Sequence, residues 1–184
     1  LAVSTVTGAL SATATTGDIT DSGNLTITGA ATFITEDTGS NIILNSSGNA
    51  FAAAVTMKAA SGGNEAFGNI TFVDSAAVKL HSSAGTNGDL FIDGSTDLAV
   101  GGNLSITATT GNITQGAAVA VTGTSSFTTS ASNGTITLSE TSNALTGAVS
   151  LSTSGSSGNA TVVNASGLNL AASTVGGTLS ATAT

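Results

Sequence analysis

The chain has 184 residues, a formal charge of −8, only 7% charged side chains, and no Pro, Cys, Trp, Tyr or Arg. That balance excludes disulfides and thiolate metal sites, and it argues against nucleic acid or anionic membrane as a partner. Both need clustered cations, and this chain offers only Lys58 and Lys79. A charged, disordered tract is also excluded, because 40% of the residues are apolar and mean hydropathy is +0.38.

Leu1 opens directly into "LAVSTVTGAL", without the basic start and apolar core of a signal peptide. No apolar run is long enough to span a bilayer. The chain is therefore expected to be an excerpt of something longer, and the lack of Cys fits an extracellular setting.

Gly, Ser, Thr, Asn and β-branched residues are poor helix formers, and no window shows a 3.6-residue stripe. Short alternating segments predict strands instead: "LTIT" (25 to 28), "VTMK" (55 to 58), "VKLH" (78 to 81), "LFID" (90 to 93), "LSIT" (104 to 107), "ITLS" (136 to 139), "VSLS" (149 to 152) and "LNL" (168 to 170). Gly-Asn and Gly-Asp steps at 17, 23, 68, 102, 111 and 158 punctuate them and are expected to be turns, since both residue types tolerate positive φ.

The pattern is written twice. Residues 10 to 35 align without a gap on 104 to 129, with 13 identities in 26, and "TATTGDIT" (13 to 20) reappears as "TATTGNIT" (107 to 114). Residues 1 to 15 return as 170 to 184 with 12 identities in 15. The marker leucines Leu10, Leu104 and Leu179 are thus separated by 94 and 75 residues. If the difference is one whole coil of a solenoid, the coil is about 19 residues and the units hold near five and four coils.

The expectation is an all-β fold, a right-handed parallel β-helix (β-solenoid) of about ten coils of roughly 19 residues, forming one continuous segment over 1–184. Its repeat units span approximately 10–103 and 104–178, with partial units 1–9 and 179–184. Ten coils at ~4.8 Å would give a rod on the order of 50 Å.

The cadence "TATTGNIT...VTGTSSFTT...ITLS...GAVSLST...ATVVNASGLNLAASTVGGTLS" resembles the tandem β-strand repeats of very large bacterial surface proteins, similar to the filamentous haemagglutinin type of secreted adhesin. That resemblance covers the whole chain. It implies a parallel β-helix displayed outside the cell as a stalk, fibre or adhesive surface.

Candidate sites are few. Alternation puts Val55, Met57, Val78 and Leu80 inward and Lys58, Lys79 and His81 outward, so the single imidazole reads as a solvated side chain without a nucleophile beside it. Polysaccharide lyases and hydrolases on β-helices use carboxylate clusters with Arg or Lys, whereas this chain disperses its acids and has no Arg. No catalytic, cofactor-binding or metal residue is assigned. The densest acidic stretch, "GDLFIDGSTD", makes Asp89, Asp93 and Asp97, with Asn87, a weak Ca²⁺ candidate whose spacing matches neither an EF-hand nor a nonapeptide repeat. Thr-x-Thr steps at 13 to 15, 26 to 28, 107 to 109 and 135 to 137 suggest an ice-binding ladder, but their spacings are not multiples of one coil. Eight Asn-x-Ser/Thr triplets begin at Asn24, Asn45, Asn69, Asn103, Asn112, Asn133, Asn159 and Asn164. A Gly-Asn turn followed by a Thr-bearing strand generates the triplet without glycosylation.

The functional expectation is a non-enzymatic structural or adhesive segment of a giant extracellular or cell-surface protein, probed through its Ser/Thr/Asn-rich surface. A self-assembling filament subunit is the alternative, and carbohydrate- or ice-binding solenoids rank below it. Expected partners are other copies, neighbouring repeats, and host or environmental surfaces or glycans.

Overall fold

The structure, a computed structural model, describes residues 1–59, 68–81, 89–93 and 98–184. It is all β, a parallel β-solenoid of about six turns. The first unit runs through β1 (Ser4–Val6), β2 (Leu10–Ala14), β3 (Ile19–Thr20), β4 (Leu25–Ile27), β5 (Ala31–Thr35), β6 (Ile42–Leu44), β7 (Ala50–Phe51), β8 (Val55–Ala59), β9 (Ile70–Asp74) and β10 (Val78–His81). Two further strands, β11 (Asp89–Asp93) and β12 (Leu98–Val100), lead into the second unit. That unit comprises β13 (Leu104–Ala108), β14 (Ile113–Gln115), β15 (Val119–Val121), β16 (Ser125–Ser132), β17 (Ile136–Leu138), β18 (Ala144–Leu145), β19 (Val149–Ser154) and β20 (Ala160–Asn164), followed by β21 (Leu179–Ala183). The segment 168 to 170 forms no named strand and contributes one parallel bridge, Leu170 to Val149.

Every strand pairing is parallel, and the pairings build two large faces. One has nine strands in the order β2-β5-β8-β11-β10-β14-β17-β20-β21, the other six in the order β19-β16-β13-β9-β6-β3. Two three-stranded edges, β1-β4-β7 and β12-β15-β18, complete the cross-section. Alternation within each strand drives apolar side chains inward, where Phe33, Ile42, Met57, Leu80, Ile106, Phe127 and Leu151 are each fully buried in one column.

The coil is longer than the expected 19 residues. Leu10 lies against Ala31 and Ala31 against Val55, steps of 21 and 24, and Leu104, Ser125 and Val149 repeat the same two steps. The turns at the corners consume the additional residues, so the same chain makes about six coils instead of ten. Six ladder steps at ~4.8 Å give a column of roughly 30 Å.

Nor do the units differ by a whole coil. Each supplies three strands to the six-stranded face: β3, β6 and β9 from the first, and β13, β16 and β19 from the second. Among the described residues peculiar to the first unit, Asp89–Asp93 form β11, which lies between β8 and β10 although it follows β10 in sequence. On the opposite face β9 pairs directly with β13, so the insertion adds a strand to one side without closing a turn.

Equivalent strands of the two units occupy opposite faces. β2, β5 and β8 lie in the nine-stranded face, while their counterparts β13, β16 and β19, 94 residues on, lie in the six-stranded one. β3, β6 and β9 exchange with β14, β17 and β20 in the reverse sense, and the edge β1-β4-β7 exchanges with β12-β15-β18. A unit therefore advances by whole turns plus one half, and consecutive units are related by a half-turn about the solenoid axis. β21, which repeats β2, is back on the nine-stranded face.

Candidate functional site

Glycines build the corners, by two different means. Gly17 and Gly111 have φ of 79° and 86°, so the two copies of the opening phrase turn through a left-handed glycine as expected. Gly68, Gly102, Gly123 and Gly147 do not. They stack in one column, where a Cβ on Gly102 would collide with the carbonyl of Gly68, one on Gly123 with that of Gly102, and one on Gly147 with that of Gly123. Glycine is required there for close approach of successive coils.

Beside this column, side-chain oxygens link one coil to the next. Asn41 N–H donates to Asp18 Oδ1 (2.8 Å), Asn69 N–H to Asn41 Oδ1 (2.6 Å), Asn103 N–H to Asn69 Oδ1 (2.9 Å) and Thr124 N–H to Asn103 Oδ1 (2.8 Å). At the opposite corner Thr135 N–H donates to Asn112 Oδ1 and Thr178 N–H to Asn159 Oδ1. The two N–H groups that Asn41 directs at Asp18 hold its carboxyl below the usual 3.8. Of the eight triplet asparagines, Asn24, Asn69, Asn103, Asn112, Asn133, Asn159 and Asn164 all use the side-chain carbonyl to accept a backbone N–H of an adjoining coil. Asn164 is fully buried.

A second polar ladder lies inside the wall. Asn49 Oδ1 accepts from Leu25 N–H (2.8 Å), Asp74 Oδ1 from Phe51 N–H (3.2 Å), Asn143 Oδ1 from Val119 N–H (2.9 Å) and Asn164 Oδ1 from Leu145 N–H (2.8 Å). All four side chains are buried. Asn164 Nδ2 also donates to the carbonyls of Leu145 (3.2 Å) and Gly167 (3.0 Å). Asp74 occupies the equivalent place in the first unit with an oxygen where the amide has its NH₂. Desolvation pushes its carboxyl above the usual 3.8, against the lowering effect of N–H groups from Phe51, Ala76 and Ser75.

The outer surfaces of the two faces differ. On the six-stranded face Thr71, Ser105, Ser126 and Ser150 form one column and Thr107, Thr128 and Ser152 a second, without a charged group in either. Hydroxyls do stack on successive coils, although through Ser as well as Thr, so the Thr-x-Thr spacings alone did not locate the columns. The nine-stranded face carries Lys58 and Lys79, and strand register sets Asp93 beside Lys58 and Asp89 beside Lys79. Thus β11 lies in register with both of the chain's cations.

The Ca²⁺ candidates are not gathered by a common loop in the described backbone: Asp89 and Asp93 sit at opposite ends of β11. Their side chains and that of His81, together with Asn87 and Asp97, lie outside the described residues. Among the described residues no group of three or more His, Cys, Asp or Glu side chains could hold a metal ion. A shallow hollow of about 190 Å³ lies over Val100, Ala120, Val121 and Ala144 on the β12-β15-β18 edge, and its lining brings no titratable group. No helix of the described chain is long and apolar enough to cross a membrane.

Comparison with curated proteins and with solved structures returns no match. A family described as "Repeats of unknown function (DUF5649)" matches residues 1–58 and 76–152, most of both units. The chain belongs to this family of repeats, and the half-turn relation between its two units is the form the repeat takes in three dimensions.

Proposed function

We propose that the chain is a non-enzymatic structural segment, a stiff stalk or fibre of a large extracellular or cell-surface protein of the bacterial adhesin type. Its outer Ser, Thr and Asn columns would offer many weak contacts to surfaces. The observation that carries the reading is the continuous parallel ladder along one axis, tied at corners and in the wall by side-chain carbonyls that accept N–H groups from adjoining coils. Such cross-links resist bending and separation of coils, and stability in this architecture sums over neighbouring coils. The uncharged columns of the six-stranded face support contact through hydroxyl groups, and the absence of aromatic side chains from these columns disfavours stacking on sugar rings.

Small-angle scattering on the chain and on a tandem fusion of two copies tests the stalk. The expected outcome is an elongated particle whose long dimension grows by roughly 30 Å per added copy. A compact particle, or growth in cross-section without growth in length, overturns it. Retention of the purified chain on immobilised host glycans or on abiotic surfaces tests the adhesive part, with loss of retention expected when Thr107 and Thr128 are changed to Lys.

A further inference from the structure

One corner of the first unit carries an acceptor that the fold leaves unused. Of the eight Asn-x-Ser/Thr triplets, seven have an asparagine whose side-chain carbonyl accepts a backbone N–H of an adjoining coil. Asn45 is the exception: its side chain is exposed, and among the described residues no group hydrogen-bonds its amide. Nor does a Gly-Asn turn account for this triplet, because Asn45 follows Leu44 at the end of β6. We propose that Asn45 is a glycosylation site, which takes a sugar on Nδ2 from a nucleotide-activated donor in the hands of a separate transferase.

The corner holds this triplet outward. The Asp21 carboxylate, on the preceding coil, accepts the N–H groups of Asn45 (2.9 Å) and Ser46 (3.1 Å) and Nδ2–H of Asn49 (2.7 Å). Asn49 N–H closes a turn on the Ser46 carbonyl (3.1 Å), and Gly48 N–H donates to Asn24 Oδ1 (3.2 Å). The backbone is thus tied from behind, while the side chains of Asn45 and Ser47 are exposed. All three residues of the triplet lie outside the strands. Transfer needs the third-position hydroxyl to approach the asparagine amide, which a surface turn permits and a strand held by its ladder does not. In five of the other triplets that hydroxyl residue, Thr26, Thr71, Ser105, Thr114 or Thr161, is fixed within a strand. Of the remaining two, Asn133 packs against Gly155 while its Oδ1 holds Ser157 N–H (3.0 Å), and Asn164 is fully buried.

The second unit keeps the corner and omits the acceptor. Ser139, Glu140 and Thr141 stand 94 residues on from Asn45, Ser46 and Ser47, and all three are exposed. Glu140 N–H is accepted there by Gln115 Oε1 (3.0 Å), as Ser46 N–H is by Asp21. The same turn therefore forms without an asparagine, so the fold does not require Asn45. In the transfer its Nδ2 attacks the anomeric carbon of a sugar carried on a nucleoside diphosphate. The carbon–nitrogen bond forms as the bond from that carbon to the phosphate oxygen breaks. The nucleoside diphosphate leaves with the electron pair, and one amide proton passes to a base of the transferase. The product keeps the Asn45 carbonyl and adds a bulky hydroxyl-rich group at the corner.

This goes beyond the stalk and does not rest on it. The folded 184-residue chain is incubated with UDP-glucose and a soluble transferase that recognises Asn-x-Ser/Thr, its activity verified on a short acceptor peptide. The chain should gain the mass of one hexose, and fragmentation in the mass spectrometer should place that hexose on Asn45. Asn45→Gln and Ser47→Ala should each abolish the gain and leave the circular dichroism spectrum unchanged, because both side chains are exposed. Ser139→Asn completes a triplet with Glu140 and Thr141 at the equivalent corner of the second unit, and should raise the gain to two hexoses. A folded chain that stays unmodified overturns the assignment and leaves the stalk standing. So does a hexose placed on any of the other seven asparagines while Asn45 stays bare, or a gain that persists in Asn45→Gln.

Discussion

Where the first unit places Phe33, Phe51 and Phe72 in the core, the second places Phe127, Leu145 and Val162. In the first unit the Phe33 and Phe51 rings meet edge to face at 6.3 Å and the Phe51 and Phe72 rings at 5.2 Å, so one aromatic stack spans both large faces and an edge. The second unit closes the same cross-section with one ring, Phe127, and two aliphatic side chains, Leu145 and Val162. The backbone ladder sets the width of the wall, and the core tolerates different volumes provided that the inward positions stay apolar. The polar ladder is less forgiving: Asn49 and Asn143 recur in both units, and the one exchange, Asp74 for Asn164, introduces a buried carboxyl.

Substitutions at equivalent positions sharpen this contrast. Phe127→Ala should destabilise the chain by about 3–5 kcal/mol through the cavity it leaves. Phe33→Ala should cost about 1 kcal/mol more, because it also removes an aromatic contact that Phe127 lacks; denaturant midpoints of the two variants measure the difference. Equal midpoints would show that the stack adds nothing beyond burial.

Asn143→Ala comes next. It strands Val119 N–H and the Val163 carbonyl and takes one of two partners from each end of the Gln115 amide, for an expected loss of about 2–3 kcal/mol and faster amide exchange at Val119.

Asp74→Asn should move the other way and stabilise the chain by about 1–2 kcal/mol at neutral pH, by restoring the amide found at position 164. The effect has a sign in pH. A carboxyl whose folded pKa lies above its unfolded value holds its proton longer in the folded state, so its contribution is full below the unfolded value near 3.8 and is lost as pH rises through the folded value. The advantage of Asp74→Asn over wild type should therefore grow from acid to neutral pH, and a difference independent of pH would refute the assignment.

Smaller effects follow at Ser125 and at the lysines. Ser125 stands where the first unit has Ala31, and its buried hydroxyl lacks a hydrogen-bond partner. Ser125→Ala should be neutral or stabilising by up to about 1 kcal/mol, as judged by thermal midpoint. Lys79→Ala, at an exposed position, should change stability by less than about 0.5 kcal/mol, as judged by thermal midpoint.

Several particulars were legible from residue order. Alternation in "VTMK" and "VKLH" predicted Val55, Met57, Val78 and Leu80 as inward, and all four are buried. The segments at 25, 55, 78, 90, 104, 136 and 149 each became strands, because a period of two admits no other regular structure when one set of side chains must be hidden. "LNL" at 168 fell short of a strand, with only Leu170 bridging. The Gly-Asn steps were legible as turns, but their second use was not: the Gly68 to Gly147 column answers to the carbonyl of a neighbouring coil, and nothing local encodes which coil that is.

Residue order by itself determined the strand content, the inward set and the existence of two units 94 residues apart, since each depends on local periodicity or self-comparison. Only the tertiary structure decided how many turns those 94 residues make, that the units face opposite ways, and that β11 is wedged between β8 and β10. The physical reason is that a separation along the chain does not fix an angle about an axis. Corners, loops and an inserted strand absorb different numbers of residues per turn, and the register that sums them is set by hydrogen bonds between coils.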